Sequence, residues 1–150
     1  MRVALALTTV ATVVSAGVLA GGPASAAPPT ISLGAYLTGR QEVPKGSGDP
    51  DATGIGLFRL HPDGRLCYVL RVRDVTGDVT QAHIHAGRAG RDGGVVATLS
   101  PPAWHGSVAG CRNIGSKAAR KIASNPARYY VNVHSTDFEN GALRGQLHRA

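Results

Sequence analysis

Residues 54–72 read GIGLFRLHPDGRLCYVLRV. Leu66, Tyr68, Leu70 and Val72 recur at every second position, the period of a strand that buries one face. The segment before them, 54–60, also reads as a strand, and His61-Pro62-Asp63-Gly64 separates the two. Asp-Gly between such runs favours a tight antiparallel turn. The stretch is therefore predicted to be a β-hairpin, and the rest of the chain repeats its grammar. Ile31, Leu33, Ala35 and Leu37 alternate in a strand before it, followed by the loop KGSGDPDATG at 45–54. Beyond the hairpin, a strand at 80–86 leads through the glycine-rich GRAGRDGG, 87–94, into a strand at 95–99. Residues 100–115 hold Pro101, Pro102, Trp104 and Cys111 and are expected to be irregular. Ser116 is placed to cap a short helix through residue 124, with Ala118, Ala119 and Ile122 on its apolar face, and Asn125-Pro126 ends it. Strands at 129–134 and 142–147 complete the pattern. Seven strands and one short helix predict an all-β fold, an immunoglobulin-like or Greek-key β-sandwich or barrel.

The chain has 150 residues, which suits one domain. With 43% hydrophobic and 17% charged residues it is too apolar for a disordered chain. Two cysteines are too few for a disulfide-rich miniprotein or a Cys-only zinc site. Met1-Arg2, an uncharged run rich in Ala, Val and Leu over 3–19, the breaker Gly21-Gly22-Pro23 and the small-residue site Ala24-Ser25-Ala26 read as a secretory signal peptide, 1–26. The mature domain would be 27–150, extracellular, with no membrane span left after cleavage. In an oxidising compartment the pair Cys67 and Cys111 is expected to form a disulfide. The formal net charge of +7 comes from scattered arginines, with no basic stripe interleaved with aromatics, which argues against nucleic acid. It is compatible with an acidic cell-surface polymer or another extracellular protein as partner.

The residues with the most pointed chemistry are His83-Ile84-His85. Side chains two apart on a strand share a face, so Gln81, His83 and His85 face one way. In 129–134, YYVNVH, the valines take the apolar face and Tyr130, Asn132 and His134 the polar one. If these strands are neighbours, three imidazoles converge. Such a set suits Cu or Zn with an open position; the alternative is ordinary hydrogen bonding on a polar sheet face. Glu42, Asp137 and Glu139 are candidate extra carboxylates, and His105, beside Trp104 in a possible binding loop, a candidate fourth ligand. His61 and His148 are expected to be exposed. In its stronger form the metal reading follows the pattern of copper–zinc superoxide dismutase, which also combines H-x-H on a barrel strand with an internal disulfide. The 87–94 loop lacks the dinucleotide and Walker signatures, so a plain loop is favoured over anion binding by Arg88 and Arg91. Asp49 and Asp51 lack the spacing of a calcium loop. Ser135 and Asp137 beside His134 do not make a triad, and no nucleophile elbow exists.

Several segments together resemble the chordin-type, or CHRD, domain family. They are LTGRQEVP at 37–44, TGIG at 53–56, LCYVL at 66–70, HIHAG at 83–87, GGVV at 93–96, YVNVHS at 130–135 and GALRGQL at 141–147. Lys45 stands where the family usually has a second proline. The resemblance implies an extracellular immunoglobulin-like β domain, occurring also as single secreted bacterial proteins, and brings no established catalytic residues. The recurring segments include His83, His85, His134, Glu42 and Arg144, and the last two are expected to form a structural ion pair. The reading is of a secreted, non-catalytic binding or structural module, with a three-histidine metal-binding protein as the alternative.

Overall fold

The computed structural model describes residues 29–103 and 106–150. The expected leader, 1–26, and the Trp104–His105 pair lie outside them. The hairpin forms as predicted, from β2 (Thr53–Leu60) and β3 (Arg65–Arg73), in register Leu60↔Leu66 through Thr53↔Arg73. β1 (Ile31–Thr38) pairs antiparallel along the whole of β2. β4 (Val79–Ala86) pairs with β5 (Val95–Leu99) and with β7 (Tyr129–Ser135); β7 pairs with β8 (Leu143–Gln146), and β8 returns to β1 through Thr38↔Arg144. The strand order is β5-β4-β7-β8-β1-β2-β3-β6, a sheet curled into a barrel that is nearly closed, with β5 and β6 meeting at an unpaired seam.

The segment 100–115, expected to be irregular, contains β6 (Ser107–Asn113), which pairs with β3 from Arg65↔Asn113 to Arg71↔Ser107. Its sequence SVAGCRN has no large apolar residue, because it is an edge strand held by main-chain bonds and by the Cys67–Cys111 disulfide. The last predicted strand is interrupted at buried Leu147. The chain resumes as β9 (His148–Arg149), which pairs with Leu33 and Gly34 on the edge of β1 that β8 also uses, bringing the described strands to nine. The helix α1 spans Ser116–Ser124 as read, but Gly115, not Ser116, is its N-cap and no side chain caps it.

Period-two alternation sends Leu33, Leu37, Phe58, Leu60, Leu66, Leu70, Ile84, Leu99, Val131, Val133 and Leu143 into the barrel, each no more than 2% exposed. α1 closes one end with Ala119 and Ile122. The Tyr68 hydroxyl accepts from the Ser100 amide at 2.8 Å, tying the end of β5 to β3 across the seam. No helix among the described residues is long and apolar enough to cross a membrane.

The outward face of β4, β7 and β8 is the polar one. It is roofed by two loops. The 87–94 loop folds over β7 and β8, and the segment following β1, which begins with a 3-10 turn at Gly39–Gln41, lays Glu42 against Asn132. Arg144, the largest fully buried side chain, is 1% exposed although it points away from the barrel core. This half of the molecule therefore has an apolar layer inside the sheet and a polar layer outside it.

Candidate metal centre

The polar layer begins with register. His83 lies opposite Asn132 and His85 opposite Tyr130 on the β4–β7 pair, so the outward residues of the two strands interleave. His134 lies diagonal to His83, and His83 Nδ1 and His134 Nε2 are 3.3 Å apart. The His83 ring meets the rings of His85 and His134 edge-on, with centroids 5.5 and 5.2 Å away. One nitrogen from each of His83, His85 and His134 falls within 4.8 Å of the other two. Tetrahedral ligands at the usual Zn–N or Cu–N length of about 2 Å stand roughly 3.3 Å apart. The His83–His134 pair already has that spacing, and His85 needs only a side-chain adjustment.

Two main-chain carbonyls set the tautomers. The His85 Nδ1–H donates to Gly93 O at 2.9 Å, and the His134 Nδ1–H donates to Glu139 O at 2.8 Å. A carbonyl can only accept, so each ring keeps its lone pair on Nε2. The His85 Nε2 is buried without a hydrogen-bond partner. A buried acceptor left alone costs on the order of 1–3 kcal/mol, and carbonyl-bound Nδ1 with a free Nε2 is the arrangement that orients a metal-ligating histidine. Burial, and then the proximity of His134 and His85, hold His83 below the ordinary histidine range. Burial does the same for His85 against the opposing pull of the Gly93 carbonyl. Both rings are therefore neutral at pH 7, the state in which imidazole ligates.

Of the expected extra carboxylates, none joins the cluster. Glu139 contributes its main-chain oxygen, Asp137 accepts from the Thr136 hydroxyl at 3.0 Å, and Glu42 lies behind Asn132. Among the described residues no second group of ligating side chains forms, so there is no partner cluster for a bridged two-metal site. His61 sits at the far turn beside Thr30 and Arg65, and exposed His148 stacks on Tyr36. Asp49 is not a cation ligand. It is fully buried and accepts from the amides of Thr76 at 2.7 Å and Asp51 at 3.2 Å. Burial alone would raise its pKa, but these donors outweigh it and keep the carboxyl below the usual range. Buried Ser135 accepts from the Phe138 amide at 3.2 Å, a turn contact.

The expected Glu42–Arg144 ion pair is replaced by two separate sets of contacts. Arg144 donates to Asp92 at 3.0 Å and to the carbonyls of Arg88 and Arg91 at 2.9 and 2.7 Å. Its guanidinium lies 3.5 Å from the Tyr130 ring centroid, and the other face of that tyrosine system stacks with His85 at 4.9 Å. Gln146 adds bonds to Gly87, Ala127 and Tyr129 carbonyls at 2.7–3.0 Å. Sequence reasoning missed Gln146 and Asp92; the only cue for Gln146 was a long polar side chain at an outward strand position, a pattern that normally means solvent, and Asp92 in the loop gave none.

Glu42 is 4% exposed and accepts from the Asn132 amide at 3.2 Å, while its second oxygen and the Asn132 Oδ1 have no partner. A Cβ on Gly141, where φ is +137°, would come within 2.8 Å of that carboxyl, so only glycine leaves it room. Burial raises the Glu42 pKa from 4.5 to about 7, against the lowering pull of Arg144 and Asn132. Protonation would give the pair one donor to set against its two orphan acceptors. Between pH 4.5 and 7 the folded protein binds the proton that the unfolded chain has lost, so this group's contribution falls as pH rises through that window. His83 and His85, with lowered pKa values, act oppositely and lose their contribution as pH falls below 6.5. The stability of Glu42→Gln relative to the parent is thus expected to improve from pH 4.5 to 7.5, read by denaturant unfolding in a pH series. A constant difference would mean that Glu42 is ionised throughout.

The molecule is thus a disulfide-bonded β-barrel module that carries a half-exposed imidazole cluster on one face. The chain belongs to the CHRD domain family, whose family model matches residues 33–147. No match was found among curated proteins or among solved structures.

Proposed function

We propose that this chain is a secreted CHRD binding module that holds one Cu or Zn ion through His83, His85 and His134. The observation that carries the reading is the buried, partnerless Nε2 of His85, on a ring whose Nδ1 is fixed on Gly93 and which brings a nitrogen within 4.8 Å of one on each of the other two rings. The leader-like residues 1–26 and the Cys67–Cys111 disulfide support export to an oxidising, extracellular location. The three imidazoles without a carboxylate favour Cu or Zn over Mg or Ca, and the half-exposure of all three leaves a coordination position open to solvent or a further ligand. The function is binding; no residue here is assigned a catalytic step.

The test is calorimetric titration of untagged 27–150 with Cu(II) and Zn(II), with metal content by mass spectrometry. One equivalent is expected at pH 7.5, with release as pH falls below about 6 and the imidazoles protonate. His85→Ala and His134→Ala should each weaken binding at least about tenfold to hundredfold, and His61→Ala should not. Binding that survives His85→Ala, or that responds equally to His61→Ala, would end the proposal.

A further inference from the structure

The 87–94 loop has a second face. Outward from the polar layer, its Arg88 and Arg91 line an open cleft of about 730 Å³ with Lys121, Asn125 and Arg128. These cations come from three separate elements: the loop, the last turn of α1, and the 3-10 turn Pro126–Arg128. No Asp or Glu lines the cleft, and the one ion pair among the described residues, Arg144–Asp92, leaves all four cations without a carboxylate partner. The loop is anchored from beneath. The carbonyls of Arg88 and Arg91 are turned inward onto Arg144, the Gly87 amide donates to Arg128 O at 2.7 Å, and Gln146 bridges the Gly87 and Ala127 carbonyls. The main-chain oxygens of Gly87, Arg88, Arg91, Ala127 and Arg128 are therefore occupied. On the helix side, Arg149 donates to Ala123 O at 2.8 Å and covers part of the negative end of α1. Four like charges held this way repel one another until an anion joins them.

We infer that this cleft is a docking site for a phosphodiester polymer of the kind that gives a cell surface its negative charge. The cleft is broad and solvent-open and offers charge from side chains, not a cradle of converging amides, which suits a repeating line of phosphates better than one small anion. Guanidinium forks match phosphate oxygens in pairs. The site is independent of the histidine cluster, so its failure would leave the metal reading untouched.

The probe is poly(glycerol phosphate), with binding to untagged 27–150 followed by titration calorimetry across a salt series. Binding should weaken steadily with salt, as release of condensed counterions requires. The Arg88→Gln/Arg91→Gln/Arg128→Gln variant should bind at least about tenfold more weakly with a shallower salt slope. These three side chains are exposed, and only main-chain atoms of these residues hold the loop, the Arg88 and Arg91 carbonyls on Arg144 and the Arg128 carbonyl on the Gly87 amide, so the variant should fold, as near-UV circular dichroism can check. The comparison is Arg59→Gln/Arg65→Gln/Arg71→Gln, the same charge removed from the outward faces of β2 and β3. Equal losses in the two variants would show that net charge alone binds. No binding to the parent, or tighter binding of dextran sulfate than of the phosphate polymer at equal charge, would also overturn the inference.

Discussion

Replacing Arg144 with methionine is expected to lower folding stability by about 3–5 kcal/mol, the range for removing one partner from a buried charged network. Methionine keeps most of the side-chain length, so the loss is chiefly polar. The carbonyls of Arg88 and Arg91 lose the donors they now have at 2.9 and 2.7 Å. Each carbonyl left buried without a donor costs on the order of 1–3 kcal/mol. The stacking of guanidinium on Tyr130 goes as well, and with it the cation that draws Glu42 toward ionisation. Asp92, the formal salt-bridge partner, is 63% exposed and recovers water when Arg144 is gone. Asp92→Asn is therefore expected to cost under about 1 kcal/mol, as surface pairs do. Chemical denaturation of both variants decides the matter: equal costs would mean that the ion pair, not the roof carbonyls, is what Arg144 serves. A second readout is the 87–94 loop itself, which should become more sensitive to proteolysis in the methionine variant and not in the Asp92 variant.

Removing the disulfide is the other large effect expected. Cys67 and Cys111 are direct partners in the β3–β6 ladder and 44 residues apart in sequence. Closing a loop of that length in the unfolded chain accounts for about 4 kcal/mol in the chain-entropy estimate. Cys67→Ala/Cys111→Ala should lose stability of that order with an unchanged native register, since neighbouring pairs such as Leu66↔Arg112 and Tyr68↔Gly110 remain. The three histidines lie on β4 and β7, away from this ladder, so metal stoichiometry of the folded variant should not change. A variant that folds normally but loses its metal would show coupling between the two halves of the barrel.

How far the sequence carried can be seen residue by residue. Wherever a strand buries one face against an apolar core, alternation located it, and the same rule put His83, His85, Tyr130, Asn132 and His134 on one surface. Their convergence then needed only the pairing of β4 with β7. β6 was hidden because Ser107–Asn113 buries nothing large; its pairing is main-chain chemistry, which any sequence can supply. The polar layer was hidden for a different reason. Asn132 is legible as an outward, polar-face residue and Glu42 and Arg144 as an ion pair, but polar side chains on a sheet usually face water, and nothing local marks these as covered. That they are covered depends on where the 87–94 loop and the segment after β1 come to rest, a long-range fact that local pattern does not carry. The same cause misassigned the partner of Arg144: the roof supplies Asp92 and two carbonyls at the position where the sequence offered Glu42.

The seam between β5 and β6 makes the barrel an open sheet, and an open sheet has two edges able to recruit a foreign strand. Here the edges face one another and each screens its neighbour. Each edge is paired on one side only, and β6 is the weaker guard because its side chains are mostly small. The covalent link to β3 keeps it from swinging away and uncovering the long apolar hairpin behind it. Oxidation therefore protects the protein from intermolecular sheet growth as much as from unfolding. The cost of a reducing environment would appear first as association between copies, at the one place where the barrel does not close.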